Sequence, residues 1–159
     1  MRTKLILGIL CLVSAAEATV VYTELTHDAS ADGVPHENRP GVMYWQGATD
    51  RHAVALTFDD GPSPYTSKIL AVLARHQVKA TFFVVGKRVD QYPDLARRVV
   101  AAGHVIANHS YSHRNLNLET SADVASELAR TESIIARTTG VKPALFRPPF
   151  GEEDRKSVV

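Results

Sequence analysis

The chain has 159 residues, of which 45% are hydrophobic and 22% are charged, a balance typical of one soluble globular domain. The formal net charge of +1 gives no sign of the basic surface with which proteins bind nucleic acid or acidic membranes. The seven histidines are more informative, because two of them lie in one tight cluster.

The first 18 residues have the order of a secretory signal peptide. Arg2 and Lys4 form a short basic region, residues 5–13 form an apolar run, and residues 16–18 fit a small-x-small cleavage site. The apolar run is shorter than the ~20 residues that a transmembrane helix needs. A buried N-terminal helix or strand is the alternative, but the order of these features favours secretion without a membrane anchor after cleavage.

Cys11 lies inside this predicted signal peptide and is the one cysteine of the chain. Cleavage after Ala18 would leave the exported chain without a thiol. We therefore predict neither disulfide bonds nor thiol chemistry in the mature protein.

Residues 19–52 are predicted to be a linker or an N-terminal arm. Residues 28–41 are rich in Asp, Ser, Gly and Asn and contain two prolines, which favours loops over a core. The aromatic patch at residues 43–45 is either a strand of the arm that packs on the domain or a surface that stacks on sugars. Packing is favoured, because aromatic clusters usually fill cores.

From residue 53 onwards, short apolar runs alternate with amphipathic segments. The short apolar runs are predicted strands, at residues 53–58, 80–85, 104–107 and 145–147. The amphipathic segments are predicted helices, at residues 66–76, 93–102 and 120–139. Thr66 or Ser67 is the expected N-cap of the first helix, and Thr120 and Gly140 are the expected caps of the last. The alternation predicts an α/β fold with parallel strands and crossover helices, either an open sheet or part of a barrel.

Polar clusters follow three of the predicted strands, at residues 59–62, 108–113 and 147–151. In parallel α/β folds, ligands bind beyond the carboxyl ends of the strands. We therefore expect these clusters to converge at one rim of the sheet and to form a functional site there.

His109 and His113 have an i, i+4 spacing, which would place both imidazoles on one side of a helical turn and let them bind one metal ion. Taken alone, such a pair is more often a pair of surface histidines. Asp59 and Asp60 are adjacent carboxylates at a strand end, where a cation would relieve their repulsion and their desolvation. If one carboxylate binds the metal, the other is free to act as a base. The alternative is that residues 59–62 form an ordinary surface turn without a metal.

Arg147 and Phe150 belong to the third cluster, and each has two interpretations. Arg147 either pairs with any nearby acid or holds the free aspartate in place. Phe150 follows two prolines, so its stiffened backbone can present a fixed N–H to developing oxyanion charge. His76 and His104 lie outside the three clusters and are interpreted as structural or surface residues.

In their order and spacing, residues 57–62, 109–113 and 147–151 resemble the first three motifs of the NodB-homology polysaccharide deacetylases. The resemblance covers residues 53–151. It implies a partial, deformed (β/α) barrel and metal-dependent removal of acetyl groups from N-acetylglucosamine-containing polysaccharides of the chitin or peptidoglycan type. Poly-N-acetylglucosamine and acetylated xylan stay open as substrates, and no nucleic-acid partner is expected.

The same resemblance implies a role for each matching residue. The metal ligands would be Asp60, His109 and His113, with Asp59 as the general base and Arg147 as the residue that orients it. Zinc is favoured by this set of two imidazoles and one carboxylate, with cobalt, nickel and manganese as alternatives.

Pro149 and Phe150 would wall the sugar groove, and the Phe150 N–H would help to bind the oxyanion. The family carries two further motifs downstream, one of which holds a general-acid histidine, and the chain reaches Val159 before either. We therefore expect a C-terminally incomplete catalytic domain at residues 53–159. The alternative is a non-catalytic remnant that binds metal or glycan without turnover. The order of three motifs argues against an unrelated α/β protein, and no sequence pattern indicates an oligomeric state.

Overall fold

A computed structural model describes residues 54–151 of the chain. The predicted signal peptide at residues 1–18, the predicted arm at residues 19–52 with its aromatic patch, and residues 152–159 lie outside the described residues. Within the described range, no helix combines the length and the apolar character that crossing a membrane requires.

The described residues form a parallel sheet of three strands in the order β1-β2-β3. The strands are β1 (Thr57–Gly61), β2 (Thr81–Val84) and β3 (Val105–Asn108). Beyond β3, Phe146 makes a single parallel bridge to Asn108. The predicted parallel α/β arrangement is confirmed, but the strand predicted at residues 145–147 is only this bridge. Prolines at positions 143 and 148 flank it and lack the N–H that a longer ladder requires.

Four helices accompany the sheet: α1 (Thr66–Arg75), α2 (Gly86–Gln91), α3 (Pro93–Ala101) and α4 (Ser121–Thr139). Short 3₁₀ turns occupy Leu116–Leu118 and Pro149–Gly151. Three of the helices lie where the sequence predicts them, and α2 is an additional short helix that begins directly after β2.

The helix caps agree with the sequence prediction for α4 and differ for α1. Thr120 accepts the N–H of Asp123 at 3.2 Å, and Gly140 ends α4 with a left-handed φ of 76°. Tyr65 holds the cap position of α1 without a side-chain hydrogen bond. The Thr66 hydroxyl instead accepts the N–H of Ser63 at 2.9 Å, so it stabilises the preceding turn rather than the helix.

The hydrophobic core lies on the helix-covered face of the sheet. Its members are Leu70, Leu73, Ala80, Phe82, Val84, Val89, Ala96, Val99, Ile106, Ile134 and Ile135. Every residue of β2 is buried, which is typical of a central parallel strand. Because side chains alternate along a strand, Phe83 faces away from Phe82 and Val84, and the Arg147 guanidinium lies 4.0 Å from its ring centroid. The central strand β2 is thus packed on both faces. The polar segments lie at the carboxyl ends of its two neighbours, β1 and β3.

Candidate metal centre

The two aspartates lie inside the last part of β1 rather than after it, which corrects the predicted strand boundary. The pairing register with β2 shifts between Phe58 and Gly61, and Asp60 has a left-handed φ of 66°. The Gly61 carbonyl accepts the N–H of Val85 at 2.9 Å, so β1 is still held at its end. An irregularity of this kind re-aims side chains at a strand end, and here the two neighbouring carboxylates have different partners.

Residues 109–113 form an irregular loop, so the expected helical turn is wrong. Ser110 and His113 have left-handed φ values of 62° and 58°, and the His113 N–H donates to the Ser110 hydroxyl at 3.1 Å. The rings of His109 and His113 nevertheless meet, with centroids 5.0 Å apart. The predicted proximity is therefore present, but a folded loop produces it instead of helical periodicity.

His109 is held in the neutral form that binds metals. It is only 3% exposed, and its Nδ1 lies 2.7 Å from the carbonyl oxygen of Arg147. Because a carbonyl can only accept, Nδ1 carries the proton and Nε2 keeps its lone pair. Burial lowers the pKa of His109, and this effect outweighs the opposite effect of the hydrogen bond to the Arg147 carbonyl.

Asp60, His109 and His113 offer one ligand atom each, and these atoms all lie within 4.8 Å of one another. The Asp60 Oδ1 is 3.4 Å from His109 Nε2 and 3.0 Å from His113 Nε2. Ligand atoms at zinc-like bond lengths around a tetrahedral ion are separated by about 3.3–3.5 Å. The donor types and the spacing of the group thus fit a small divalent cation.

Asp59, which is outside this group of ligands, is held by Arg147. The Arg147 Nη1 lies 2.8 Å and 3.0 Å from the two carboxylate oxygens of Asp59, and it also donates to the Thr57 hydroxyl at 3.1 Å. The Arg147 side chain is 22% exposed and packs on Phe83, so the guanidinium has one well-defined position. The two adjacent carboxylates are therefore separated into one beside the imidazoles and one paired with arginine.

Pro149 and Phe150 differ sharply in exposure. Pro149 is fully buried, whereas Phe150 is 65% exposed and has a left-handed φ of 66°. The Phe150 ring packs edge-on against His113, with centroids 5.0 Å apart. Of this pair, only Phe150 presents a ring that a sugar could reach.

The two other histidines singled out in the sequence lie away from the site. His104 is buried, its Nδ1 accepts the N–H of Ala80 at 3.3 Å, and its ring lies against Phe82. Burial lowers the pKa of His104, and nearby Lys79 acts in the same direction. His76 is exposed at the C-terminal end of α1. The structure thus gives His104 a structural position and His76 a surface position, as expected.

Glu127 of α4 also contacts the histidine loop, although no sequence signal points to it. Its carboxylate accepts the N–H groups of Tyr111 and Ser112 at 3.0 Å and 2.7 Å. In the sequence it is one acidic residue on an amphipathic helix, where charged residues ordinarily face solvent. Only the tertiary structure shows that this one faces the loop.

Comparison with known proteins gives consistent matches. The family profile described as polysaccharide deacetylase matches residues 46–158. A peptidoglycan-N-acetylglucosamine deacetylase of Bacillus cereus is 43% identical over 109 residues, which are 68% of this chain and 40% of that protein. Chitin deacetylase 1 of Cryptococcus neoformans is 40% identical over an alignment of 144 residues that covers 84% of this chain and 30% of that protein.

Among solved structures, the family 4 carbohydrate esterase of Streptomyces lividans in complex with acetate matches with a TM-score of 0.64 and 43% identity. The match covers 65% of this chain and 54% of that one. The parallel sheet is accordingly part of a (β/α) barrel, as the sequence predicts. The chain spans about half or less of the length of the relatives it matches.

Proposed function

The chain belongs to the polysaccharide deacetylase family, and on that premise we propose that it is a metal-dependent hydrolase that removes acetyl groups from polysaccharides containing N-acetylglucosamine. Its relatives include a peptidoglycan-N-acetylglucosamine deacetylase and a chitin deacetylase, and they support this substrate class. The observation that carries the proposal is the convergence of Asp60, His109 and His113, whose ligand atoms lie within 4.8 Å of one another.

These three residues would hold the ion, and zinc is the favoured metal because two imidazoles and one carboxylate are a common zinc ligand set. Cobalt, nickel and manganese are the alternatives. When bound, the ion supplies polarisation of the acetyl carbonyl and raises the acidity of a water molecule. The buried, neutral His109 fits this role, because a protonated imidazole cannot bind a metal.

Asp59 is the general base in this proposal. It takes a proton from the water that attacks the acetyl carbon, and its bonds to Arg147 fix the direction in which its oxygens point. The tetrahedral species then breaks at the carbon–nitrogen bond, and the leaving nitrogen takes the proton that Asp59 received, so that acetic acid and the sugar amine are released. Arg147 acts through Asp59 and is therefore a positioning residue.

Phe150 contributes both its backbone and its ring. Its N–H is proposed to donate to the oxyanion, and its exposed ring is proposed to pack on a sugar unit. The left-handed backbone at Phe150 supports this assignment, since unusual backbone conformations cluster at ligand sites. Pro149, which is buried, would act only by supporting the ring.

Residues 1–18 are proposed to direct the chain out of the cell, where peptidoglycan and chitin are located. Residues 19–52 would form a linker or an N-terminal arm, and we assign the catalytic domain to residues 53–159. The charge, apolar and small-residue order of the first 18 residues supports this division.

The test compares the full chain with His113→Ala and with His76→Ala, a control that removes an exposed histidine on α1. We expect the unchanged chain and the control to bind one divalent ion per chain by elemental analysis, and His113→Ala to bind none. Equal metal uptake by His113→Ala would exclude the proposed site. Acetate release from N-acetylglucosamine oligomers, with and without chelator, tests the activity. Metal binding without acetate release would identify a binding protein without turnover instead.

A further inference from the structure

The loop that carries both imidazoles is held by one carboxylate from a distant helix. Glu127 Oε2 accepts the N–H groups of Tyr111 and Ser112 at 3.0 Å and 2.7 Å, and its Oε1 accepts the Ser112 hydroxyl at 2.8 Å. We propose that Glu127 is a positioning residue that keeps His109 and His113 at the separation needed to share one metal ion. This inference rests on the proposed function, because it concerns the same site.

The backbone of the loop shows why it needs such a partner. Ser110 and His113 both have left-handed φ values, 62° and 58°, which are unfavourable for residues that carry a Cβ. Tyr111 and Ser112 lie between these two residues, and their N–H groups are the ones that Glu127 binds. Hydrogen bonds to an ionised acceptor are among the stronger ones in proteins. The carboxylate therefore stabilises the segment whose conformation is least favourable on its own.

The opposite side of the loop is held by α2. The N–H groups of Gly86 and Lys87 donate to the carbonyl oxygens of Ser110 and Tyr111 at 3.0 Å and 2.9 Å. These bonds fix two loop carbonyls, whereas the N–H groups of Tyr111 and Ser112 are bound by Glu127. Loss of the Glu127 carboxylate would free these two N–H groups, and the loop could then relax and move His113 away from Asp60.

Arg130, three residues beyond Glu127 on α4, contacts the same loop, because its guanidinium lies 3.7 Å from the centroid of the Tyr111 ring. Tyr111 also donates its hydroxyl to Asp90 at 3.0 Å. The Tyr111 side chain is thus anchored on α2 and α4, whereas Glu127 holds the backbone N–H groups of Tyr111 and Ser112.

The test is a metal-affinity series measured by competition with a chelator, with the Co²⁺ absorption spectrum as a second readout. Glu127→Ala is expected to weaken metal binding by about 10–100-fold, the usual effect of removing a group that orients metal ligands. Glu127→Gln is expected to retain most of the affinity, because its amide oxygen can still accept both backbone N–H groups. Glu132→Ala is the matched control, since Glu132 lies on the same helix and pairs with Lys142 instead.

Glu127→Asp covers the case in which the alanine variant does not fold, because aspartate keeps the charge but shortens the reach to the loop. We expect its affinity to fall in the same direction as that of Glu127→Ala. Unchanged affinity in either variant would overturn the inference. A variant whose metal-free form melts at a lower temperature but whose metal affinity is unchanged would also overturn the inference, because it would indicate a purely structural role.

The affinity series also separates this inference from the proposed activity. If the unchanged chain binds metal but releases no acetate, the proposed deacetylation is wrong, and the affinities still decide the role of Glu127. If the unchanged chain binds no metal, both proposals are wrong.

Discussion

Replacing Gly86 with alanine probes the contact between α2 and the histidine loop. A Cβ at this position would lie 2.5 Å from Tyr111 Cδ2, 3.0 Å from Thr131 Oγ1 and 3.2 Å from Tyr111 Cα. Favourable carbon–carbon contacts are about 3.5–4.0 Å. The tyrosine ring could rotate away from the new methyl group, but the Tyr111 backbone could not avoid it unless the loop moved.

The size of the effect follows from two opposing contributions. Inserting a methyl group into a packed region costs about 1–3 kcal/mol. Alanine is about 0.5–1 kcal/mol better than glycine inside a helix, and because Gly86 is the first residue of α2, at most this much of the cost is offset. We therefore expect Gly86→Ala to lower the free energy of unfolding by about 0.5–2 kcal/mol. Because Tyr111 lies between the two ligand histidines, metal affinity is expected to fall as well.

The assay is urea unfolding of the metal-free chain followed by circular dichroism, repeated in a Tyr111→Ala background. Without the tyrosine ring, the shortest contact disappears, so Gly86→Ala should be less destabilising there than in the unchanged chain. A midpoint for Gly86→Ala that equals or exceeds that of the unchanged chain would refute the reasoning. So would an equal effect in both backgrounds.

Three further predictions concern separate parts of the chain. Arg147→Lys should lower kcat for acetate release by about 10–100-fold with little change in metal affinity, because an ammonium lacks the flat face that packs on Phe83 and fixes the nitrogen bound to Asp59. His104→Gln should reduce the loss of stability in acid. Burial lowers the pKa of His104, so as pH falls below about 6.5 the unfolded chain takes up a proton there before the folded chain does. Thr120→Ala should lower the free energy of unfolding by about 1 kcal/mol, since Thr120 caps α4.

Each of these predictions has its own measurement and control. For Arg147→Lys, a fall in metal affinity with unchanged kcat would contradict the assignment. For His104→Gln, urea midpoints at pH 8 and pH 5.5 are compared in chelator, with exposed His76→Gln as the control, and an unchanged pH dependence would exclude the buried-histidine explanation. For Thr120→Ala, the urea midpoint is compared with that of Ser126→Ala, an exposed change within the same helix.

The meeting of the three proposed metal ligands could be predicted from sequence because it depends on strand ends. Asp60 lies at the end of β1 and His109 directly follows β3, and the carboxyl ends of parallel strands share one edge. The geometry of the loop could not be predicted in this way. The i, i+4 rule assumes a helix. Two residues of the loop, Ser110 and His113, instead have left-handed backbones, a conformation that is uncommon in residues other than glycine.

Other misses have equally local causes. Helix α2 has only six residues, which is too short for a helical period to be recognised in the sequence. It also begins with Gly86, which the sequence analysis interprets as the end of the preceding strand. The strand predicted at residues 145–147 has the right composition, but flanking prolines limit it to one bridge. The long helix α4 was predicted well because nineteen residues of periodic sequence stand between a threonine cap and Gly140.

The missed helix also explains how the two ligand segments come together. The first lies at the end of β1 and the second follows β3. These two strands are separated by β2 and thus by about 9.5 Å, or two strand spacings. The junction between β2 and α2, residues 84–87, binds both sides: the Val85 N–H donates to Gly61, and the Val84 carbonyl accepts from His109. The next two N–H groups, which begin α2, bind the histidine loop. The end of β2 therefore binds both the segment that carries the aspartate and the segment that carries the histidines, and it holds them next to each other. Because α2 begins already at Gly86, its first N–H groups are available for the histidine loop.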